Sequence, residues 1–209
     1  VYRGRHIVEG GQTSTGSIIN WFRTRFAPSL DYDTLNRDAA ALAPGADGLL
    51  VLDHFQGNRT PYTDARSRGA ITGLTLAHTP AHVYRAVIEG ICMGTRLILD
   101  TMAEAGFRAE RITVAGGATR SPLWLQIHAD TAGLPLVLTE VPDAPALGSA
   151  ILAACAVGAH PGIDEAIAAM VRTRAVVEPD PGRHAAYAPV YARYRELYGA
   201  LKPVRAGHG

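Results

Sequence analysis

Residues 111–139 read RITVAGGATRSPLWLQIHADTAGLPLVLT, and this stretch decides the fold class. Its first residues form a short apolar run that predicts a strand, and the paired glycines after it predict a tight turn. Ser121 predicts a helix cap, Pro122 suits the first helical turn, and Gly133 predicts where the helix ends. The apolar run at 134–139 predicts a second strand. Strands that alternate with helices predict an α/β domain whose central sheet is mostly parallel and flanked by helices.

The same alternation continues on both sides of this stretch. Apolar residues recur at helical spacing from Pro80 to Ala105, where Thr79 can cap the helix and Gly106 can end it. Shorter elements are predicted as strands at 48–52 and 70–74 and as helices at 12–26, 32–42, 146–157, 163–172 and 189–201. The sequence shows no internal repeat and no linker, so one α/β domain is the economical interpretation.

Composition and charge exclude several classes of protein. The 209 residues are 47% hydrophobic and 19% charged, which is typical of a globular protein. The 20 Lys and Arg residues nearly balance 19 Asp and Glu residues, so we expect no nucleic-acid partner and no anionic membrane. Cys92 and Cys155 are the only cysteines, which excludes a disulfide framework and favours a reducing compartment, the cytoplasm. No stretch resembles a signal peptide or a membrane span.

The turn at Gly116 and Gly117 is the strongest local signal for a ligand. Glycine lets a ligand approach the backbone closely, and the amides of the following helix favour anionic or polar groups. An ordinary strand-to-helix turn also needs glycine for its geometry, and the local pattern leaves this alternative open. The turn matches neither the dinucleotide-binding fingerprint nor the P-loop.

Two further patterns have ordinary structural explanations. His78 and His82 are four residues apart, but Thr79 and Pro80 interrupt a shared helix face and no third ligand follows at a usual spacing, so no metal site is predicted. Tyrosines at 187, 191, 194 and 198 form a stripe at helical spacing beside two arginines. Such a stripe could stack on nucleic acid, but packing in a core or between subunits of a homodimer is the ordinary interpretation.

Several blocks together carry a resemblance to a known family. The segments at 69–74 (GAITGL) and 82–90 (HVYRAVIEG) resemble the second signature of the FGGY carbohydrate kinases. Further blocks at 9–22, 57–61, 116–124 and 145–150 agree with that family in order and spacing. These blocks are spread over nearly the whole chain, which makes the match specific.

The resemblance implies a sugar kinase that uses ATP and Mg²⁺. It implies a ribonuclease-H-like domain of the actin/hexokinase/Hsp70-like ATPase superfamily, with residues 1–209 as the C-terminal, nucleotide-binding domain. The family's N-terminal domain, which holds the sugar and the catalytic aspartate, has no counterpart here, and the chain begins with Val1. We therefore expect a fragment that is inactive alone. The 9–12 and 58–61 blocks resemble ribulokinases more than glycerol kinases, which favours a pentulose such as ribulose or xylulose as substrate.

The resemblance also assigns site residues. Gly16 and Asn20 match positions near the nucleotide phosphates, Asn20 standing where glycerol kinases have glutamine. Gly117 matches the glycine beneath the adenosine, Gly116 shapes that turn, and Ser121 matches the polar residue that contacts the nucleotide.

No residue of this chain matches the family's catalytic base. Asp53 ends a predicted buried strand, and Asp130 lies on the helix after the glycine turn, where structural hydrogen bonds are the simpler explanation. A non-catalytic nucleotide-binding or assembly module of the same fold is the alternative to a kinase.

Overall fold

The computed structural model describes residue 4 and residues 6–205, and within them it has an α/β architecture. The elements in chain order are α1 (Gly16–Phe26), α2 (Tyr32–Ala40), β1 (Leu50–Leu52), β2 (Ala70–Thr72), α3 (Pro80–Glu104), β3 (Ile112–Val114), α4 (Pro122–Ala132), β4 (Leu136–Thr139), α5 (Ala144–Ala156), α6 (Ile163–Met170), β5 (Thr173–Val177) and α7 (Pro181–Arg205). Single 3₁₀ turns lie at Ala46–Gly48 and Gly117–Arg120. No helix in the described part of the chain is both long and apolar enough to span a membrane.

The strands form two small sheets, and the expectation of a mostly parallel sheet is wrong. The β1 and β2 strands pair antiparallel on their own. The second sheet has the order β3-β4-β5, with β3 parallel to β4 and β5 antiparallel to β4. Helix α4 connects β3 to β4 and carries the chain back to the end of the sheet at which β3 began. The strand β4 therefore runs parallel to β3. Two helices, α5 and α6, separate β4 from β5, so the chain enters β5 from the other end.

Helix α3 is the centre of the core. It packs against α1, α2, β1, α4 and α7. Thr79 lies at the N-cap position as expected, and its amide donates to Nδ1 of His82 at 3.1 Å, which is one half of a capping box. Close packing on α3 depends on glycine: a Cβ at Gly90 would lie 2.5 Å from the Val51 carbonyl oxygen, and one at Gly94 would lie 2.7 Å from Oδ2 of Asp53.

The charged residues of the 82–90 block lie inside this core. Arg85 and Glu89 are only 4% and 2% exposed and form an ion pair of 2.7 Å. Glu89 also accepts hydrogen bonds from the Gly45 amide and the Tyr187 hydroxyl, and Arg85 donates to the Ala39 carbonyl. Burial raises the pKa of the Glu89 carboxyl, and the Arg85 charge opposes that shift. The block therefore holds α2, α3 and α7 together.

The tyrosine stripe of α7 packs in the same core, as its ordinary interpretation predicts. Each tyrosine hydroxyl also donates a hydrogen bond of 2.5 to 3.1 Å to a carboxylate, in the pairs Tyr187–Glu89, Tyr191–Asp100, Tyr194–Asp53 and Tyr198–Asp64. The helix begins at Pro181 and continues through Pro189, which the sequence analysis placed at its first turn.

Candidate functional site

A cleft of about 540 Å³ opens where α1, α2, α3 and the glycine turn meet. Its lining joins the N-terminus of α1, one face of α2, the first turns of α3 and the turn that leads into α4. The residues that matter for its chemistry are Gly16, Tyr32, Asn36, Tyr84, Gly117, Ser121 and Trp124. A concave site of this size with aromatic walls and a few polar groups is typical of a small-molecule site.

The structure brings three of the five predicted site residues into this cleft. Gly16, Gly117 and Ser121 all line it, although Gly16 lies about a hundred positions before the other two. Gly116 stands directly before the lining turn. Asn20 lies one helical turn further along α1 and outside the lining, where its Oδ1 accepts a hydrogen bond of 3.4 Å from the Tyr32 hydroxyl.

The two glycines of the turn have different roles. Gly116 has a φ of 83°, a left-handed conformation that favours glycine, so the geometry of the turn explains it. Gly117 has no such φ, and a Cβ there would meet nothing within 4 Å. The same is true at Gly16. Neither the backbone nor the packing of the described residues requires glycine at 117.

A polar cluster that the sequence analysis missed lies at the aromatic end of the cleft. Oδ1 of Asn36 accepts hydrogen bonds from the Ser121 hydroxyl at 2.8 Å and from the Tyr84 hydroxyl at 3.3 Å. Nδ2 of Asn36 donates to the Tyr32 carbonyl at 2.7 Å. Asn36 lies 48 residues from Tyr84 and 85 from Ser121, so no local spacing joins them.

The cleft combines a neutral buried phenol with the N-terminus of α1. Burial raises the pKa of Tyr84 to about 12, so its phenol keeps its proton at neutral pH. The first turn of α1 has no acidic residue, and the Thr15 side chain makes no capping hydrogen bond there. The partial positive charge of that helix end is therefore open to an anionic group at Gly16. Arg120 and Asp33 also line the cleft, one of each sign.

The carboxylates considered as catalytic candidates have structural roles outside the cleft lining. Asp53 is buried and accepts hydrogen bonds from Gln12 and Tyr194. Burial raises the pKa of its carboxyl. Asp130 is buried and pairs with Arg183 at 2.6 Å, which confirms the structural hydrogen bonds expected of it.

The described residues form no Mg²⁺ site that is built from protein side chains alone. Among them, no three His, Cys, Asp or Glu side chains are grouped so that they could hold a metal ion. His82 contacts Thr79 and Asp47, and His78 contacts Thr75, so both act at the start of α3. We therefore assign no part of a metal-dependent step to this chain's residues.

Comparisons with known proteins agree on one family. The sequence model for the C-terminal domain of the FGGY family of carbohydrate kinases matches residues 1–157. A ribulokinase from Bacillus licheniformis is 36% identical over 207 residues, covering 91% of this chain and 38% of the relative. A xylulose kinase from Staphylococcus epidermidis is 32% identical, with 94% and 40% covered. The crystal structure of xylulose kinase from Rhodospirillum rubrum matches with a TM-score of 0.82 and 33% identity, with 94% and 40% covered. The chain spans about two fifths of the length of these relatives.

Proposed function

Because the chain belongs to the FGGY family of carbohydrate kinases, we propose that it forms the ATP-binding half of an enzyme that phosphorylates a sugar or polyol. The observation that carries the proposal is the cleft, which joins Gly16, Gly117 and Ser121 from distant parts of the sequence. All three were assigned to the nucleotide from the sequence resemblance alone.

The lining of the cleft supports a nucleoside triphosphate as its ligand. Tyr32, which is 38% exposed, offers flat apolar surface for a base, and Gly117 leaves room for a ligand against the backbone. The positive end of α1 at Gly16 suits a phosphate group. The chain's part in the reaction is to bind the nucleotide and to orient it for transfer.

The other reacting groups belong to the part of the enzyme beyond these residues. Phosphoryl transfer needs a base at the acceptor hydroxyl. Asp33 lines the cleft, but the family resemblance places the catalytic aspartate in the N-terminal domain. We also propose that Mg²⁺ is held by groups other than the side chains of this chain, and that an N-terminal domain binds the sugar. For the acceptor we propose a pentulose, since the relatives named above are a ribulokinase and xylulose kinases.

The cysteines support the cytoplasm as the compartment. Cys92 is fully buried, Cys155 is half-buried, and both are free thiols. Free thiols persist in a reducing environment.

The test is an assay of sugar-dependent ADP release. The full-length protein is incubated with ATP, Mg²⁺ and, in separate reactions, ribulose, xylulose and glycerol. We expect turnover with a pentulose, and none by residues 1–209 alone with any of the three. Absence of turnover by the full-length protein with every sugar, despite ATP binding, would favour a non-catalytic module. Turnover by residues 1–209 alone would refute the assignment of the base to another domain.

A further inference from the structure

Tyr194 of α7 is joined to the segment that leads into α1 by one buried carboxylate. Its hydroxyl donates to Oδ1 of Asp53 at 2.5 Å, and Nε2 of Gln12 donates to Oδ2 of the same group at 2.8 Å. Asp53 is only 4% exposed. Without the Tyr194 proton, Oδ1 would lack that donor inside the core, and the carboxylate would have to turn or draw in water. Gln12, which also contacts the Ile91 carbonyl and the Thr95 hydroxyl, would then lose one of the contacts that fix its amide.

Tyr198, one turn later in α7, is joined to the same segment through the loop at 57–64. Its hydroxyl donates to Oδ2 of Asp64 at 3.1 Å, and its ring stacks on Tyr62 with 3.8 Å between the centroids. The Asp64 amide donates to the Asn58 carbonyl, and the Asn58 amide donates to the Asp64 carbonyl, both at 2.8 Å. The side chain of Tyr198 therefore holds the point where the two ends of this loop meet.

The loop in turn holds the residues immediately before α1. The Thr60 amide donates to the Gly11 carbonyl at 3.3 Å, and the Gly11 amide donates to the Thr60 hydroxyl at 3.2 Å. The Thr13 hydroxyl donates to the Gly57 carbonyl at 2.7 Å. Both links from α7 thus end on the short segment just before Gly16, which is the first residue of α1 and part of the cleft lining.

The place of this segment decides where the first amides of α1 point. The Thr15 side chain does not cap these N–H groups, and they bind an anion only when its oxygens lie about 2.7–3.2 Å away. The aromatic end of the cleft depends on other elements, since Tyr32 and Asn36 lie on α2 and Tyr84 lies on α3. A shift of residues 11–13 should therefore weaken contacts with the phosphates of a nucleotide and leave its base and ribose in place.

We propose that Tyr194 and Tyr198 are positioning residues for the phosphate end of the nucleotide cleft, and that α7 uses them to hold the N-terminus of α1. The inference rests on the proposed nucleotide function and adds two residues to it. Neither tyrosine lines the cleft, so each acts through its carboxylate partner, Asp53 or Asp64.

The test compares ATP with adenosine, which has the same base and ribose but no phosphate. Both dissociation constants are measured on the full-length protein, ATP by calorimetric titration and adenosine by its displacement of ATP. The double variant Tyr194→Phe/Tyr198→Phe removes both hydroxyls and keeps both rings. We expect it to bind ATP at least about fivefold more weakly than the wild type, which is the lower end of couplings between separate sites. Its affinity for adenosine should change by less than about twofold, as for a substitution away from the ligand.

Tyr191→Phe is the matched control. It removes a hydroxyl of the same helix that donates to a carboxylate, Asp100, and it leaves both links to α1 intact. Its affinities for both ligands should stay within about twofold of the wild-type values. Thermal unfolding of each variant reports folding separately.

The possible outcomes separate this inference from the proposed function. A wild type that binds neither ligand would overturn the proposed function and the inference with it. An unchanged ratio of the two affinities in the double variant, whether both ligands bind normally or both weaken equally, would overturn only the inference. A selective loss of ATP binding in Tyr191→Phe would overturn it too. If the double variant does not fold, Tyr194→Phe alone decides by the same ratio, since it removes a single hydrogen bond.

Discussion

Replacement of Gly117 by valine should separate nucleotide binding from folding. The residue lines the cleft, its φ is not left-handed, and a Cβ there meets nothing within 4 Å. The protein should therefore accept the side chain, with a change in the free energy of unfolding of about 0.5 kcal/mol or less, as at an ordinary surface position. The nucleotide should not accept it, because the side chain fills the space in which the ligand would contact the backbone.

The size of the binding defect follows from the surface that the side chain keeps apart. If about 100 Å² of ligand and turn surface stays hydrated, the loss at 25 cal/mol per Å² is about 2.5 kcal/mol. At 1.4 kcal/mol for each factor of ten, this is roughly 60-fold in the Kd for ATP. The assay is calorimetric titration with ATP, together with the KM values for ATP and sugar in the full-length protein. We expect the sugar KM to change little.

Two control variants sharpen the result. Gly116→Val puts a branched side chain at a φ of 83°, so it should cost about 1–2 kcal/mol of folding stability. Gly199→Val lies on α7 outside the cleft lining, where a Cβ also meets nothing within 4 Å, and should change neither property. A folded Gly117→Val protein with wild-type ATP affinity would refute the site assignment. A variant that merely unfolds would refute the claim that position 117 tolerates a side chain.

Three further substitutions test the interior. Glu89→Leu leaves Arg85 buried without its partner and should lower the free energy of unfolding by about 3–5 kcal/mol in denaturant titrations. The double variant Glu89→Leu/Arg85→Met should recover much of that loss. Asp130→Asn weakens the hydrogen bond to Arg183 and should cost about 2 kcal/mol by the same measurement. Burial lowers the pKa of the His128 ring from 6.5 to about 4. Between these two values the unfolded chain binds a proton that the folded chain does not bind. The free energy of unfolding should therefore fall by about 3 kcal/mol as the pH drops through that window. His128→Leu should remove this part of the slope.

Each of these expectations has a clear contrary result. A loss below 1 kcal/mol in Glu89→Leu would mean that water or a rearranged Arg85 satisfies the charge. Wild-type stability in Asp130→Asn would mean that the pair with Arg183 contributes nothing. Equal pH slopes in wild type and His128→Leu would show that folding does not lower the pKa of the His128 ring.

The sequence predicted the elements that carry explicit end signals. Thr79 and Pro80 open α3, Ser121 and Pro122 open α4, and Gly133 ends α4 as expected, with φ in the left-handed region. The strand β5 was missed because four of its five residues are exposed and it lacks the alternation of apolar and polar residues that marks a half-buried strand. The sheet is mixed because β5 runs antiparallel to β4, whereas β3 runs parallel to it.

The candidate site was predictable only in part, for a physical reason. Glycines beside a ligand leave a trace in the local sequence, and the family resemblance gave Gly16 and Gly117 their place. Asn36 leaves no such trace, since it lies in a mostly polar helix and its partners are Tyr84 on α3 and Ser121 in the turn before α4. Contacts between residues so far apart appear only once the chain is folded. Asn20 lies outside the cleft lining, and its assignment to the nucleotide phosphates stays a prediction.

The pairing of the α7 tyrosines with carboxylates bears on where this folding unit stops. The family match ends at residue 157, whereas α7 begins at Pro181. All four carboxylates, Glu89, Asp53, Asp100 and Asp64, lie inside the matched region. A chain cut at 157 would therefore retain them and lose every tyrosine that donates to them. An expression boundary drawn at the edge of the sequence match would thus cut through the hydrophobic core, and the smallest cooperative unit must reach at least to Tyr198.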